Sequence, residues 1–130
     1  MCDIYQHMNV QHYVAAISDS FFSLMTEVGL GKSAIDEHEI GLVAVNMNID
    51  YLAEVHAGNV VYMRAAIERV GGKKMSCLYR LYDLESGVVA MKARVLYVCM
   101  DLAARRSRDI PEPLVLRAQA DAVGEGADGD

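Results

Sequence analysis

Residues 9–28 read NVQHYVAAISDSFFSLMTEV, and residues 41–51 read GLVAVNMNIDY. The first stretch repeats its apolar residues at steps of three and four. Val10, Tyr13, Val14, Ile17, Phe21, Leu24, Met25 and Val28 fall on one helical face, and Ala15, Ala16 and Phe22 widen it. A helix apolar over most of its girth is covered by other structure rather than laid on a surface. Asn9 suits the N-cap and Gly29 the stop, so a helix of roughly five turns is predicted. In the second stretch the period drops to two. Val43, Val45, Met47, Ile49 and Tyr51 alternate with Asn46, Asn48 and Asp50, the signature of a strand with one apolar face.

The alternation continues outward from there. Gly31 to Glu39 is polar and reads as a loop. A turn at Ala57-Gly58-Asn59 leads to a strand with Val61, Met63, Ala65 and Ile67 on one face. Gly71-Gly72 marks the next turn, Met75 to Leu84 the next strand, Glu85-Ser86-Gly87 the last turn and Val88 to Met100 the last strand. Arg105 to Pro113 reads as irregular. Short turns imply antiparallel neighbours. A sheet with one apolar face must be covered, and one long helix is available to cover it. The expected fold is therefore α+β: a curved antiparallel sheet wrapped around one long central helix.

Composition bounds the function. A chain of 130 residues suits one domain, placed at residues 1–117, and 53% hydrophobic residues suit a globular one. The net charge of −6 is uneven. Asp121, Glu125, Asp128 and Asp130 give the stretch 118–130 a charge of −4 with no base, and this acidic tail is expected to be disordered. The near-neutral body lacks a basic face and an aromatic platform, which argues against a nucleic-acid partner, although a local basic patch stays open. No apolar run reaches the length of a membrane helix, so no membrane partner is expected. Cys2, Cys77 and Cys99 fit no zinc or redox spacing; a reducing, cytoplasmic setting and no metal are the simple reading.

Polar residues concentrate directly before the helix, in Asp3-Ile4-Tyr5-Gln6-His7-Met8-Asn9-Val10. The first N–H groups of a helix lack partners, and the dipole there favours negative charge. A carbonyl oxygen placed there is stabilised as it becomes an oxyanion. A carboxylate just upstream can act as nucleophile or general base. Gly29-Leu30-Gly31-Lys32-Ser33 is not a phosphate loop, because its first Gly would have to be Thr26. There is no Gly-x-Ser-x-Gly elbow.

Asp3-x-x-x-His7-Met8-Asn9, with Tyr13 four residues on, resembles the 4-hydroxybenzoyl-CoA thioesterase branch of the hot-dog superfamily. Gly72-Lys73-Lys74-x-Ser76, and the long last strand running into Asp101 and then Ile110-Pro111, are similar too. The resemblance covers residues 3–116 and implies hydrolysis of an acyl-CoA to a free acid and CoA, without a cofactor, by a homodimer or homotetramer with sites between subunits. It implies Asp3 as catalytic acid, the Val10 backbone N–H as oxyanion donor, and His7 and Asn9 as orienting residues. The leaving thiolate, with a pKa near ~8.5, departs without a strong acid, so such a sparse site suffices. Tyr13 and Ile17 are expected to line the acyl pocket. Lys73, Lys74, Ser76, Arg105 and Arg106, with Arg108, are candidates to hold CoA. Gln6 stands where the family has Gly, and only Met1 and Cys2 precede Asp3 where the family has a full strand. The expectation is that the natural start lies upstream. A catalytically silent acyl-CoA-binding or oligomerisation module is the alternative.

Overall fold

The computed structural model describes residues 10–55 and 58–122. Helix α1 spans Val10–Glu27 and a short α2 spans Lys32–His38. Four long strands follow: β1 Ile40–Tyr51, β2 Val61–Gly71, β3 Lys74–Asp83 and β4 Val89–Asp101. A two-residue β5, Arg106–Ser107, and helix α3, Glu112–Asp121, complete the described part. The fold is α+β, with an antiparallel sheet in the order β1-β4-β3-β2 and β5 paired to β4.

Three expectations change. Residues Gly31–Glu39 are not a loop throughout, because seven of them form α2. Its sequence, KSAIDEH, has only two apolar residues and no fully buried one, so no helical period is visible. Strands β1 and β2 are not neighbours. The segment between them crosses the end of the sheet, tied by Leu52 N–H to the Ala90 carbonyl and by Leu84 N–H to the Val60 carbonyl, and leaves β1 and β2 as opposite edges. The domain boundary placed at Arg117/Ala118 falls inside α3, where Leu114 and Ala118 are buried against the body. The acidic residues 123–130 lie outside the described residues.

The apolar face of α1 covers the sheet as the helical period predicts. Tyr13, Ile17, Phe21, Leu24 and Met25 are buried in one cluster with Met75, Cys77, Tyr79 and Leu81 of β3 and with Met91, Val95, Tyr97 and Cys99 of β4. Phe21 stacks on Tyr97 at 4.2 Å between ring centroids. Each fully buried Leu, Ile or Met contributes roughly 1.5–3 kcal/mol. Phe22, read as part of the apolar face, points away and is 68% exposed.

Register explains where alternation fails. In β1 the pairing to β4 slips between Ala44 and Asn46, so Val45 is an extra residue. A bulge of this kind reverses the phase of the strand. Leu42 before it and Met47 and Ile49 after it pack on the core, while Val43 and Val45 are exposed on an edge strand. Strand β2 slips in the same way between Ile67 and Arg69, which makes Glu68 the extra residue.

Candidate active site

Helix α1 is already helical at Val10, the first described residue, which directly follows the motif in sequence. Asp3, His7 and Asn9 lie outside the described residues, so their placement rests on sequence alone. Among the described residues no acidic side chain sits in the first turn of α1. The Tyr13 ring meets the Tyr51 ring edge-on, with centroids 5.1 Å apart. Tyr51 is the last residue of β1, so the start of α1 lies at that end of the sheet. Tyr13 and Ile17 are both buried in the core cluster. In one copy of the chain Ile17 packs against the sheet; Tyr13 lies at the helix start, beside the half-exposed Tyr51.

The basic residues expected to hold CoA gather at the other end. Lys73 is in the β2–β3 turn, where its carbonyl accepts the Cys99 N–H, and Lys74 opens β3 opposite Val98. Arg105, in a left-handed conformation at φ 61, and Arg106, paired with Asp101, follow β4 at the same end. Tyr51 pairs with Met91 and Lys74 with Val98 along the same strand β4. At ~3.3 Å per residue that separates the two ends by roughly 23 Å. The structure thus brings Lys73, Lys74, Arg105 and Arg106 together, but not beside the helix start.

Ser76 has a different setting. Its hydroxyl donates to Glu68 Oε1 at 3.0 Å, and the same carboxylate takes two bonds from Arg94, Nε at 2.9 Å and Nη2 at 2.8 Å. Glu68 is only 4% exposed. Burial opposes its ionisation; the Arg94 guanidinium and the Ser76 hydroxyl outweigh that and hold its carboxyl below the usual range. Alternation places Glu68 simply as an outward polar residue. The bulge that brings it against Ser76 leaves no mark in composition or period. These three groups line a cleft of about 570 Å³ with Arg69, Lys74 and Leu96.

Other reactive groups are muted. Cys77 is fully buried and burial pushes its thiol up to about 12, which removes it as a nucleophile. The Tyr79 and Tyr97 hydroxyls share a 2.7 Å hydrogen bond in the core, and burial raises both. Among the described residues no three His, Cys, Asp or Glu side chains form a metal-sized group. Among them, too, no helix is long and apolar enough to cross a membrane.

Comparison with known proteins adds to this geometry. The family model described as the thioesterase-like superfamily matches residues 1–118. A 1,4-dihydroxy-2-naphthoyl-CoA hydrolase from Synechocystis is 25% identical over 101 residues, 78% of this chain and 68% of that protein. The long-chain acyl-CoA thioesterase FadM of Escherichia coli is 26% identical over 110 residues, 81% of this chain and 79% of that one. A Staphylococcus aureus protein solved in complex with CoA superposes with a TM-score of 0.83 at 22% identity, covering 91% of this chain and 74% of that chain.

Proposed function

The chain belongs to the thioesterase-like superfamily and is a thioester hydrolase, and on that premise we propose that it cleaves an acyl-CoA to the free acid and CoA. Asp3 acts as nucleophile or general base. The backbone N–H of Val10 receives the developing oxyanion, with His7 and Asn9 orienting the approach to the helix. The observation that carries this reading is that the Asp3–Asn9 motif runs directly into α1, which is already helical at Val10, the first described residue. The N–H groups and the positive dipole end at a helix N-terminus stabilise negative charge on a thioester oxygen. The fold is the hot-dog arrangement, with the sheet curling about α1.

The working unit is a homo-oligomer, with pairing along β1. The support is that β1 is an edge strand bearing Val43, Val45 and Tyr51, each about half exposed. An open, apolar edge needs covering. Tyr51 lies both on that edge and beside the helix start, so a partner joined there would wall the site near Tyr13. Lys73, Lys74, Arg105 and Arg106 hold the phosphates of CoA from the far end of the sheet. The setting is cytoplasmic, where the free Cys77 and Cys99 stay reduced.

The test is hydrolysis in 18O-enriched water, with acid and thiol both quantified over aromatic, short-chain and long-chain acyl-CoAs. One labelled oxygen in the acid for each thiol released supports the reading. Tight binding of every acyl-CoA with no acid formed would leave a silent binding module.

A further inference from the structure

The face of the sheet turned away from α1 carries a charge pattern that folding does not favour. Arg64 of β2 pairs with Arg80 of β3, and Arg80 pairs with Lys92 of β4. Directly opposite residues share a face. Their sequence neighbours Met63, Ala65, Leu81, Met91 and Ala93 pack on the core side, so Arg64, Arg80 and Lys92 stand abreast on the outer side. Like charges directly opposite one another destabilise a sheet. Asp50 of β1 completes the row beside Lys92, and Arg80 and Lys92 also interact with neighbouring groups. The row still holds three cations to one anion, in a chain of net charge −6.

An aromatic pair borders the row. Tyr62 and Tyr82 stack across β2 and β3, with ring centroids 5.1 Å apart and planes 12° from parallel. The Arg64 guanidinium lies 5.7 Å from one centroid and 5.9 Å from the other. Cations that span two strand spacings, about 10 Å, beside a flat aromatic stack form a surface for phosphates joined to a planar base. The occupant is a separate molecule from the substrate, because α1 and its N-terminus cover the opposite face.

We propose that this outer face binds a free nucleoside diphosphate, its phosphates on Arg64, Arg80 and Lys92 and its base on the Tyr62–Tyr82 stack. Calorimetric titration of the full chain with ADP, adenosine and inorganic pyrophosphate tests it directly and needs no turnover. ADP is expected to bind, adenosine to give no measurable heat, and pyrophosphate to bind at least tenfold more weakly than ADP, the loss of one stacked base. Arg80→Gln should weaken ADP at least about tenfold through the lost charged contacts. Tyr82→Ala should weaken ADP but not pyrophosphate. Pyrophosphate binding as tightly as ADP would reduce the face to an adventitious anion patch and overturn the proposal. So would absence of ADP binding, or unchanged ADP affinity in Arg80→Gln. ADP that raises KM for acyl-CoA in wild type but not in Arg80→Gln would assign the row to the substrate itself, and would also overturn it.

Discussion

Replacing Arg94 by Ala should destabilise the protein in a way that depends on pH with a known sign. Glu68 is 4% exposed and takes both Arg94 bonds, at 2.9 and 2.8 Å, so the substitution strands a buried carboxylate. Breaking such a pair costs about 3–5 kcal/mol when both partners are buried. The Arg94 side chain is 49% exposed, and solvent screening lowers the figure to about 2–3 kcal/mol at pH 7. For a domain of this size that is a fall in Tm of about 10 °C. In wild type the Glu68 carboxyl sits below its ordinary value of 4.5. Its contribution is therefore full above the unfolded value and is lost as pH falls through the folded one. Without Arg94, burial dominates and the folded carboxyl titrates above the unfolded value. The remaining penalty then grows as pH rises through that window and is smallest in acid. Urea unfolding of wild type and Arg94→Ala at pH 4.5 and pH 7 measures both points. A smaller loss at pH 4.5 than at pH 7 fits the account. A loss under about 0.5 kcal/mol, or one equal at both pH values, refutes the buried-pair reasoning. Replacing both partners, as Glu68→Leu with Arg94→Leu, should recover much of the stability, since no charge is left stranded.

Other outcomes follow from the same structure. Tyr79→Phe leaves the buried Tyr97 hydroxyl without its 2.7 Å partner and should cost about 1–2 kcal/mol in urea unfolding, whereas Tyr79→Phe with Tyr97→Phe should cost less than the single change. Native Cys77 should resist iodoacetamide at pH 8 and react only in denaturant, because its thiol is buried with a pKa near 12; mass spectrometry of the labelled peptide reads this. Val45→Asp, on the exposed β1 edge, should shift the mass seen by light scattering from oligomer to monomer with little change in far-UV circular dichroism. The Asp83 carboxylate is held below its ordinary range chiefly by the Ser86 N–H, then by those of Glu85 and the Asn59 amide, so Asp83→Ala should lower Tm at pH 7 and change it less at pH 3.

The legible parts of this chain are those whose period survives in one dimension. Helix α1 was readable because Tyr13, Ile17, Phe21 and Leu24 must all face one sheet. The strands were readable from their alternation and their Gly turns. The strand order was not, since nothing in residues 52–60 says that the chain crosses the sheet rather than turning back. The two bulges were hidden as well. Val45 looks like one more apolar residue in phase, and Glu68 like one more exposed acid. The motif before α1 stands out in one dimension because its residues are contiguous, and Asp3, His7 and Asn9 lie outside the described residues. The placement of Lys73, Lys74, Arg105 and Arg106 could not be read, because sheet direction decides which end they occupy. Arg64, Arg80 and Lys92 come from three strands and become a basic row only through register, a local patch of the kind the composition left open. The aromatic pair Tyr62–Tyr82 was hidden in the same way.

The central claim is that Asp3, placed before the start of α1, drives thioester hydrolysis. Thiol release from a panel of acyl-CoAs by wild type and Asp3→Asn tests it most directly. The account predicts turnover of at least one acyl class by wild type and a loss of at least about 100-fold in kcat in Asp3→Asn, with Tm unchanged. Wild-type turnover that survives in Asp3→Asn would contradict it.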